Sequence, residues 1–204
     1  TKPFQAQEML ARIKIHLHLR RLQVDLVSHN LLLDLRIAEQ VKAITASKQA
    51  TIMAVTKLAE ARNDETGQHL DRVQTLVKVL AKRMQEMELH VTQLTTAFID
   101  NLFQTAPLHD IGKVGIPDAI LLKPGKLTAD EFAEMKRHCM LGADTLAAVF
   151  SLHPDNEYLR MGVDVARSHH EKWDGSGYPD GLKGEAIPLS ARIVAVADVF
   201  DALA

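Results

Sequence analysis

The 204-residue chain contains one cysteine and few aromatic residues, and its first half has almost no proline or glycine. Its single cysteine, Cys139, cannot form a disulfide within the chain, which is typical of proteins in a reducing cytoplasm. No apolar run approaches the roughly 18 residues that a transmembrane helix needs, so no membrane span is predicted. The formal net charge of −2 excludes a strongly basic surface for a nucleic acid polymer.

Proline and glycine are concentrated in the second half of the chain. Residues 1–106 contain only Pro3 and Gly67, whereas residues 107–204 contain the other six prolines and nine glycines. The first half is therefore predicted to form long helices, and the second half short helices joined by structured loops. Because no segment shows the alternating pattern of a β-strand, we predict an all-α fold.

Apolar spacing and capping residues predict where the helices lie. The predicted helices cover about residues 8–62, 68–87, 89–104, 128–150, 156–170 and 190–204. Pro107 predicts an additional short helix, because proline suits a first helical turn. Thr128 and Glu131 form a capping-box pattern, and Ser190 is predicted to cap the last helix. Residues 112–127 are predicted to be a loop rich in turn residues.

The first predicted helix carries an apolar stripe that polar residues such as Asp34 and Lys48 interrupt. A strict coiled coil would show a cleaner seam. We therefore expect this helix to pack against a dimer partner or against the domain that follows. The alternative is a single helix that lies on the core of its own domain.

Five of the ten histidines have polar or helix-surface neighbours and no carboxylate at ligand spacing. Such histidines are expected to be solvated. They are His16, His18, His29, His90 and His153.

The other five histidines occur with carboxylates in a pattern that favours a metal site. The candidate ligands are Glu65, His69, His109, Asp110, His138, His169, His170 and Asp198. His109 and Asp110 are adjacent at the end of an apolar helix, and Glu65 and His69 share a helical face. Asp198 lies in a nearly all-apolar helix, where a carboxylate is costly unless it is paired or metal-bound. Nitrogen and oxygen donors suit iron, manganese or zinc, and Asp110 could bridge two ions.

Five ordered motifs carry a resemblance to a known family. They are ETGQH (65–69), LHDIGKVGIPDAILLKPGKLT (108–128), KRHCMLGAD (136–144), HHEKWDGSGYP (169–179) and RIVAVADVFDAL (192–203). Together they resemble the HD-GYP domain, a subgroup of the HD-superfamily metal-dependent phosphohydrolases that hydrolyses cyclic di-GMP. The resemblance covers about residues 50–204 and implies the helical bundle of that superfamily.

The resemblance also implies a role for each matching residue. One metal ion would have four ligands: His69, His109, Asp110 and Asp198. Asp110 would bridge to a second ion, whose other ligands would be His138, His169 and His170. Glu65 matches a position that helps to bind a third ion in some members. The catalytic residues would be Asp110 and Lys113, with Lys113 contacting the scissile phosphate. The signature loop at the rim of the site would be Gly177, Tyr178 and Pro179.

The function that the resemblance implies is hydrolysis of cyclic di-GMP to pGpG, GMP or both. Two or three divalent ions, Fe or Mn, would activate the attacking water. One alternative is an HD-type hydrolase of another nucleotide or cyclic dinucleotide, against which the GYP loop argues. A second alternative is a non-catalytic signalling or interaction module, against which the full ligand set argues.

Residues 1–21 resemble the end of a response-regulator receiver domain, with Lys2, Pro3 and Phe4 at its Lys-Pro turn. The implied organisation is a receiver fragment (1–21), a signalling helix (22–48) and an HD-GYP domain (49–204). We expect this last domain to be truncated at its C-terminus, because the family has further helices there. The implied partners are cyclic di-GMP, a cognate histidine kinase acting through the rest of the receiver, GGDEF-type proteins and a second copy of the chain.

Overall fold

The computed structural model describes residues 6–62 and 68–204. Within these ranges the regular elements are all helical and no β-strand occurs, which confirms the predicted all-α fold. The chain divides into two units, Thr1–Ala50 and Thr51–Ala204. Among the described helices, none combines the length and the apolar content needed to cross a lipid bilayer.

The described residues form seven α-helices and three short 3-10 helices. The α-helices are α1 (Ala6–Glu60), α2 (Gln68–Glu86), α3 (Thr96–Thr105), α4 (Asp118–Leu121), α5 (Ala129–Leu152), α6 (Glu157–Ser168) and α7 (Leu189–Leu203). The 3-10 helices are Ala106–Leu108, Ile111–Gly115 and Gly184–Ala186.

In the first unit, the described residues all belong to α1, and each residue from 6 to 50 is exposed. Large apolar side chains such as Leu26, Leu33 and Ile37 lie on its surface. The expectation that this helix packs against a dimer partner or a following domain stays a prediction.

The core of the second unit is formed by α2, α3, α6 and α7. Val73, Val77 and Ala81 repeat at a spacing of four and are fully buried, so α2 turns one apolar stripe inward. This stripe belongs to the same buried cluster as Leu102 of α3 and Val165 of α6. The α5 helix packs against α6, outside this cluster. Apolar burial therefore holds together α2, α6 and α7, three of the four helices that position predicted ligands.

The predicted capping box at the start of α5 is confirmed. The Thr128 hydroxyl accepts a hydrogen bond from Glu131 N at 3.3 Å, and the Glu131 carboxylate accepts one from Thr128 N at 2.7 Å. The predicted short helix at Pro107 is the 3-10 helix Ala106–Leu108. The capping box fixes the first residues of α5, which lie about two turns before His138.

Two predicted helix starts were wrong. The third helix begins at Thr96 rather than residue 89, because Glu88 and His90 have φ values of 56° and 49°, which no helix accommodates. Thr95 caps it by accepting a hydrogen bond from Phe98 N at 3.1 Å. The last helix begins at Leu189 directly after Pro188, without a side-chain cap, so Ser190 is not its N-cap.

The prediction of a loop over residues 112–127 was partly wrong. Most of the 3-10 helix Ile111–Gly115 and all of α4 lie within this range. The segment is nevertheless close to other backbone, because a Cβ atom at Gly112 would overlap the His138 carbonyl and Gly142 N of α5. Gly112 thus permits the chain that follows Asp110 to approach the helix that carries His138.

We expect Gly112→Ala to lower the free energy of unfolding by about 1–3 kcal/mol, because the added methyl group must push the 3-10 helix away from α5. Chemical denaturation of the purified protein measures this loss. Gly162→Ala is the matched control, since its Cβ would meet only the ends of Leu108 and Leu146, at 3.3 and 3.6 Å. Equal losses for the two variants would contradict the prediction.

Candidate metal centre

The predicted ligands in the described residues converge within the second unit. Their positions are His69 in α2, His109 and Asp110 after α3, His138 in α5, His169 and His170 at the end of α6, and Asp198 in α7. Glu65 lies outside the described residues. The histidines that were expected to be solvated are exposed: His16, His18, His29, His90 and His153.

The donor atoms form two groups, and within each group they lie within 4.8 Å of one another. Group A consists of His69, His109 and Asp198. Group B consists of His138, Cys139, His169 and His170. In group A, Asp198 Oδ1 is 3.4 Å from His69 Nε2 and 3.7 Å from His109 Nε2.

Asp110 lies between the two groups, and its two oxygens face different histidines. Oδ2 is 3.2 Å from His109 Nε2 in group A. Oδ1 is 3.3 Å from His138 Nε2 and 3.7 Å from His169 Nε2 in group B. One carboxylate can therefore contact cations in both groups, which is the geometry of a bridging ligand.

Four imidazoles are oriented by hydrogen bonds at Nδ1. The Nδ1 atoms of His109, His138 and His169 lie 2.8, 2.7 and 3.0 Å from backbone carbonyls three or four residues earlier. His69 Nδ1 instead lies 2.7 Å from the carboxylate oxygen Oδ2 of Asp201. When the proton is on Nδ1, each ring directs the lone pair of Nε2 toward the other candidate metal-ligand atoms, as metal-binding histidines do.

Two buried atoms of the centre indicate that a cation fits there. His109 Nε2 and Asp110 Oδ1 have no hydrogen-bond partner among the described residues. His109 is completely buried and Asp110 nearly so. Leaving such groups unsatisfied costs about 1–3 kcal/mol each, and a divalent cation would satisfy both. The N and O donor set suits a transition metal ion.

Charge in group A favours protonated imidazole when no cation is bound. The hydrogen bond to Asp198 raises the pKa of His69 to about 9 despite burial, and Asp201 adds to this effect. Burial disfavours protonation of His109, but the negative charges of Asp110 and Asp198 outweigh it and raise its pKa to about 9. A cation that enters group A therefore displaces protons from these rings.

In group B, burial outweighs the neighbouring negative charge at two histidines, so their pKa values fall instead of rising. Burial lowers the pKa of His138. Burial, reinforced by the neighbouring His169 and His138, lowers the pKa of His170 to about 3. Burial opposes ionisation of Asp110 as well, but His109 and His169 hold its pKa well below the usual range. Burial thus favours neutral imidazole at His138 and His170, the form that binds metal ions.

Lys113 extends the centre toward the surface. Its Nζ atom is 2.7 Å from Asp110 Oδ2, and the side chain is largely buried. A cationic side chain therefore lies beside the carboxylate that joins the two groups. This position could bring the ammonium group close to an anionic ligand at the centre.

The predicted GYP loop lies against group B. The Tyr178 ring is 4.7 Å from the His170 ring, at an interplanar angle of 35°. Gly177 makes this approach possible, because a Cβ atom there would overlap the backbone of His170, Glu171 and Lys172. The rim of the site is therefore in direct contact with one of the predicted ligands.

Glu171 fixes this loop, a role that the sequence did not indicate. Its buried carboxylate accepts three backbone hydrogen bonds, from Asp180 N at 2.7 Å and from Gly181 N and Leu182 N at 3.0 Å each. Arg167 binds the Asp180 carboxylate with two further hydrogen bonds, at 2.7 and 2.8 Å. A glutamate next to a histidine pair gives no sign of such contacts in the sequence.

Asp201 and Cys139 are two further residues whose position the sequence did not indicate. Asp201 lies one helical turn after Asp198, and a second carboxylate in an apolar helix was a signal that could have been used. Its hydrogen bonds to Arg72 come first among the causes that lower its pKa to about 2. Cys139 Sγ is 3.4 Å from His138 Nε2, and burial raises the pKa of this thiol to about 12.

The chain is similar to known proteins over most of its length. Residues 53–204 match the HD domain family. A protein of Vibrio cholerae serotype O1 named "Probable cyclic di-GMP phosphodiesterase" is 45% identical over 203 residues, which are 99% of this chain and 46% of that protein. "Cyclic di-GMP phosphodiesterase response regulator RpfG" of Xanthomonas campestris pv. campestris is 40% identical over 202 residues, 99% of this chain and 50% of that protein.

A third relative has a different substrate in its name. The "3'3'-cGAMP-specific phosphodiesterase 2" of Vibrio cholerae serotype O1 is 40% identical over 174 residues, which are 85% of this chain and 29% of that protein. The chain spans about half the length of the first two relatives and less of the third.

We expect the wild-type protein to bind at least two Mn²⁺ ions per chain after equilibration and dialysis. Asp110→Asn should retain fewer than one, because the amide keeps the shape but lacks the charge shared by both groups. Elemental analysis by mass spectrometry gives the count. His153→Gln, which changes an exposed histidine outside both groups, is the control. An Asp110→Asn protein with the wild-type count would show that this carboxylate does not join the groups.

Proposed function

The chain belongs to the HD domain family, and from this premise we propose that it is a metal-dependent phosphodiesterase of the HD-GYP subgroup that hydrolyses cyclic di-GMP. The observation that carries the proposal is the Asp110 carboxylate between two groups of histidines, with Lys113 beside it. The names of the relatives in Vibrio and Xanthomonas support cyclic di-GMP as the substrate.

We assign the two ions to the two donor groups. The first ion would have four ligands: His69, His109, Asp110 and Asp198. The second would have Asp110 together with His138, His169 and His170. Glu65 is proposed to help to hold a third ion. Fe or Mn is the proposed metal, because imidazole and carboxylate are the donors that these ions accept.

The bound cations would lower the pKa of a water molecule and stabilise negative charge on the phosphoryl oxygens. In the hydrolysis, the water oxygen forms a bond to phosphorus, the bond from phosphorus to the 3′-oxygen breaks, and that oxygen takes up a proton. The product is linear pGpG, and a second hydrolysis would give GMP.

The protein side chains contribute position and charge to this reaction. The pKa of Asp110 is held well below the usual range, so its carboxylate would be ionised and available to hold both ions. Lys113 is proposed to contact the scissile phosphate, where its positive charge opposes the charge that develops on the oxygens. Gly177, Tyr178 and Pro179 are proposed to form the rim through which the substrate enters.

A second candidate is a hydrolase of another cyclic dinucleotide. The relative named for 3'3'-cGAMP favours this candidate, since it is 40% identical to this chain, as the Xanthomonas protein is, over 174 rather than 202 residues. The two candidates share the metal centre and differ in the nucleobases that the rim accepts. A non-catalytic interaction module would require a centre that binds cations without hydrolysis.

We further propose that the domain is the output of a bacterial cytoplasmic response regulator. In this arrangement residues 1–21 would belong to a receiver domain, 22–48 to the signalling helix and 49–204 to the HD-GYP domain. A histidine kinase would be the upstream partner, and GGDEF-type proteins would be others. The exposed apolar residues of α1, such as Leu26 and Ile37, support a homodimer through this helix.

The test of the function is turnover of cyclic di-GMP and of 3',3'-cGAMP by the Mn²⁺-loaded protein, followed by chromatography. We expect pGpG from cyclic di-GMP and at least tenfold slower hydrolysis of the mixed dinucleotide. Lys113→Met should lower kcat/KM about 100- to 1000-fold with the metal count unchanged, because one donor to the developing charge is lost.

Lys126→Met, which changes an exposed lysine in the same segment, is the control and should keep full activity. Faster hydrolysis of 3',3'-cGAMP would favour the second candidate. A fully loaded protein that hydrolyses neither compound would contradict the enzymatic proposal.

A further inference from the structure

We infer that Asp201 is a positioning residue of the metal centre, which orients His69 and thereby sets the affinity of group A for its cation. The inference rests on the proposed function, because it requires the two donor groups to bind metal ions. Asp201 lies outside both groups, and Arg72 is assigned the same positioning role.

Three hydrogen bonds fix the Asp201 carboxylate. Its Oδ2 atom is 2.7 Å from His69 Nδ1. Arg72 of α2 donates from Nε to Oδ1 at 2.6 Å and from Nη2 to Oδ2 at 2.9 Å, in a forked geometry. The carboxylate is 5% exposed, so water offers it little competition. Such a charged, two-pronged contact is geometrically specific and leaves the carboxylate little freedom to rotate.

The partner of His69 Nδ1 differs in kind from that of the other three rings. His109, His138 and His169 each donate from Nδ1 to a backbone carbonyl in the turn before them. Among the described residues, His69 Nδ1 meets no backbone carbonyl. The α7 helix supplies an acceptor instead, through the side chain of Asp201. The carboxylate thus replaces the carbonyl that orients the other three rings.

The α7 helix supplies the candidate metal ligand Asp198 and also Asp201, which orients the candidate ligand His69. Asp198 and Asp201 lie three residues apart and share a face of α7. Asp198 Oδ1 lies 3.4 Å from His69 Nε2, while Asp201 holds the opposite nitrogen of the same ring. A shift of Asp201 would turn the His69 ring, and its Nε2 would move away from Asp198 and His109. The expected consequence is selective, because group B has no contact with Asp201 among those described.

The experiment is a calorimetric titration of metal-free protein with Mn²⁺, which resolves the strong binding steps. We expect Asp201→Ala to weaken one step about 10- to 100-fold, the range seen when the partner of a metal-bound histidine is lost. The other step should change less than threefold. Asp201→Asn should lie between wild type and Asp201→Ala, because its amide oxygen can still accept from His69 but cannot hold the Arg72 fork.

Arg72→Ala tests the second part of the inference and should weaken the same step as Asp201→Ala, by a smaller factor. Its matched control is Arg160→Ala, since the two arginine side chains have nearly equal exposure, 50% and 48%, and among the described residues Arg160 pairs only with Glu157 and Asp164 of its own helix. The control should leave both steps unchanged.

A merely structural role for the Arg72–Asp201 pair predicts a different outcome. In that case Asp201→Ala and Asp201→Asn would lower the thermal unfolding temperature and either leave both Mn²⁺ steps unchanged or weaken both together, which would overturn the inference. A wild-type protein that binds no Mn²⁺ would overturn the proposed function as well. Unchanged binding by the variants would overturn this inference alone.

Discussion

The burial of the Asp110 carboxylate is the constraint on which the rest of the second unit depends. A carboxylate removed from water is costly unless opposite charge and hydrogen-bond donors surround it. Lys113 and His109 provide positive charge beside Oδ2, whereas Oδ1 faces the Nε2 atoms of His138 and His169, where a cation would satisfy it. These groups come from three parts of the chain. The apolar core of α2, α3, α6 and α7 brings most of these parts together. The centre can persist because the free energy of apolar burial offsets the cost of concentrating polar groups inside it.

The second constraint is the close approach of backbone segments around the ligands. Gly112 lies against the carbonyl of His138, and Gly177 lies against the backbone of His170 and Glu171. A side chain at either glycine would push apart two backbone segments that carry candidate metal ligands. The ring orientations depend on the same backbone, because His109, His138 and His169 donate to carbonyls of their own helical turns. Ligand geometry is therefore determined largely by main chain, which tolerates little displacement.

The sequence alone predicted features that depend on interactions between residues close together in the chain. The capping box of Thr128 and Glu131 depends on residues within one helical turn, and its prediction was confirmed. The sequence did not reveal contacts between segments that lie far apart in the chain. The Asp201–His69 contact spans 132 positions, and no local pattern marks it. The start of α3 was missed for another reason, because the positive φ of Glu88 is adopted by few non-glycine residues.

The GYP loop and group B are joined by direct contacts, so the position of one depends on the other. Tyr178 stacks on His170, and Glu171 holds the backbone beyond the loop through three hydrogen bonds. Each of these hydrogen bonds involves a charged acceptor and is stronger than one between neutral groups. Changes that reshape the rim would therefore move a predicted ligand unless Glu171 keeps its contacts. Phe132 extends this group of contacts toward the surface, because its ring is exposed and lies 6.2 Å from the Tyr178 ring in a T-shaped arrangement.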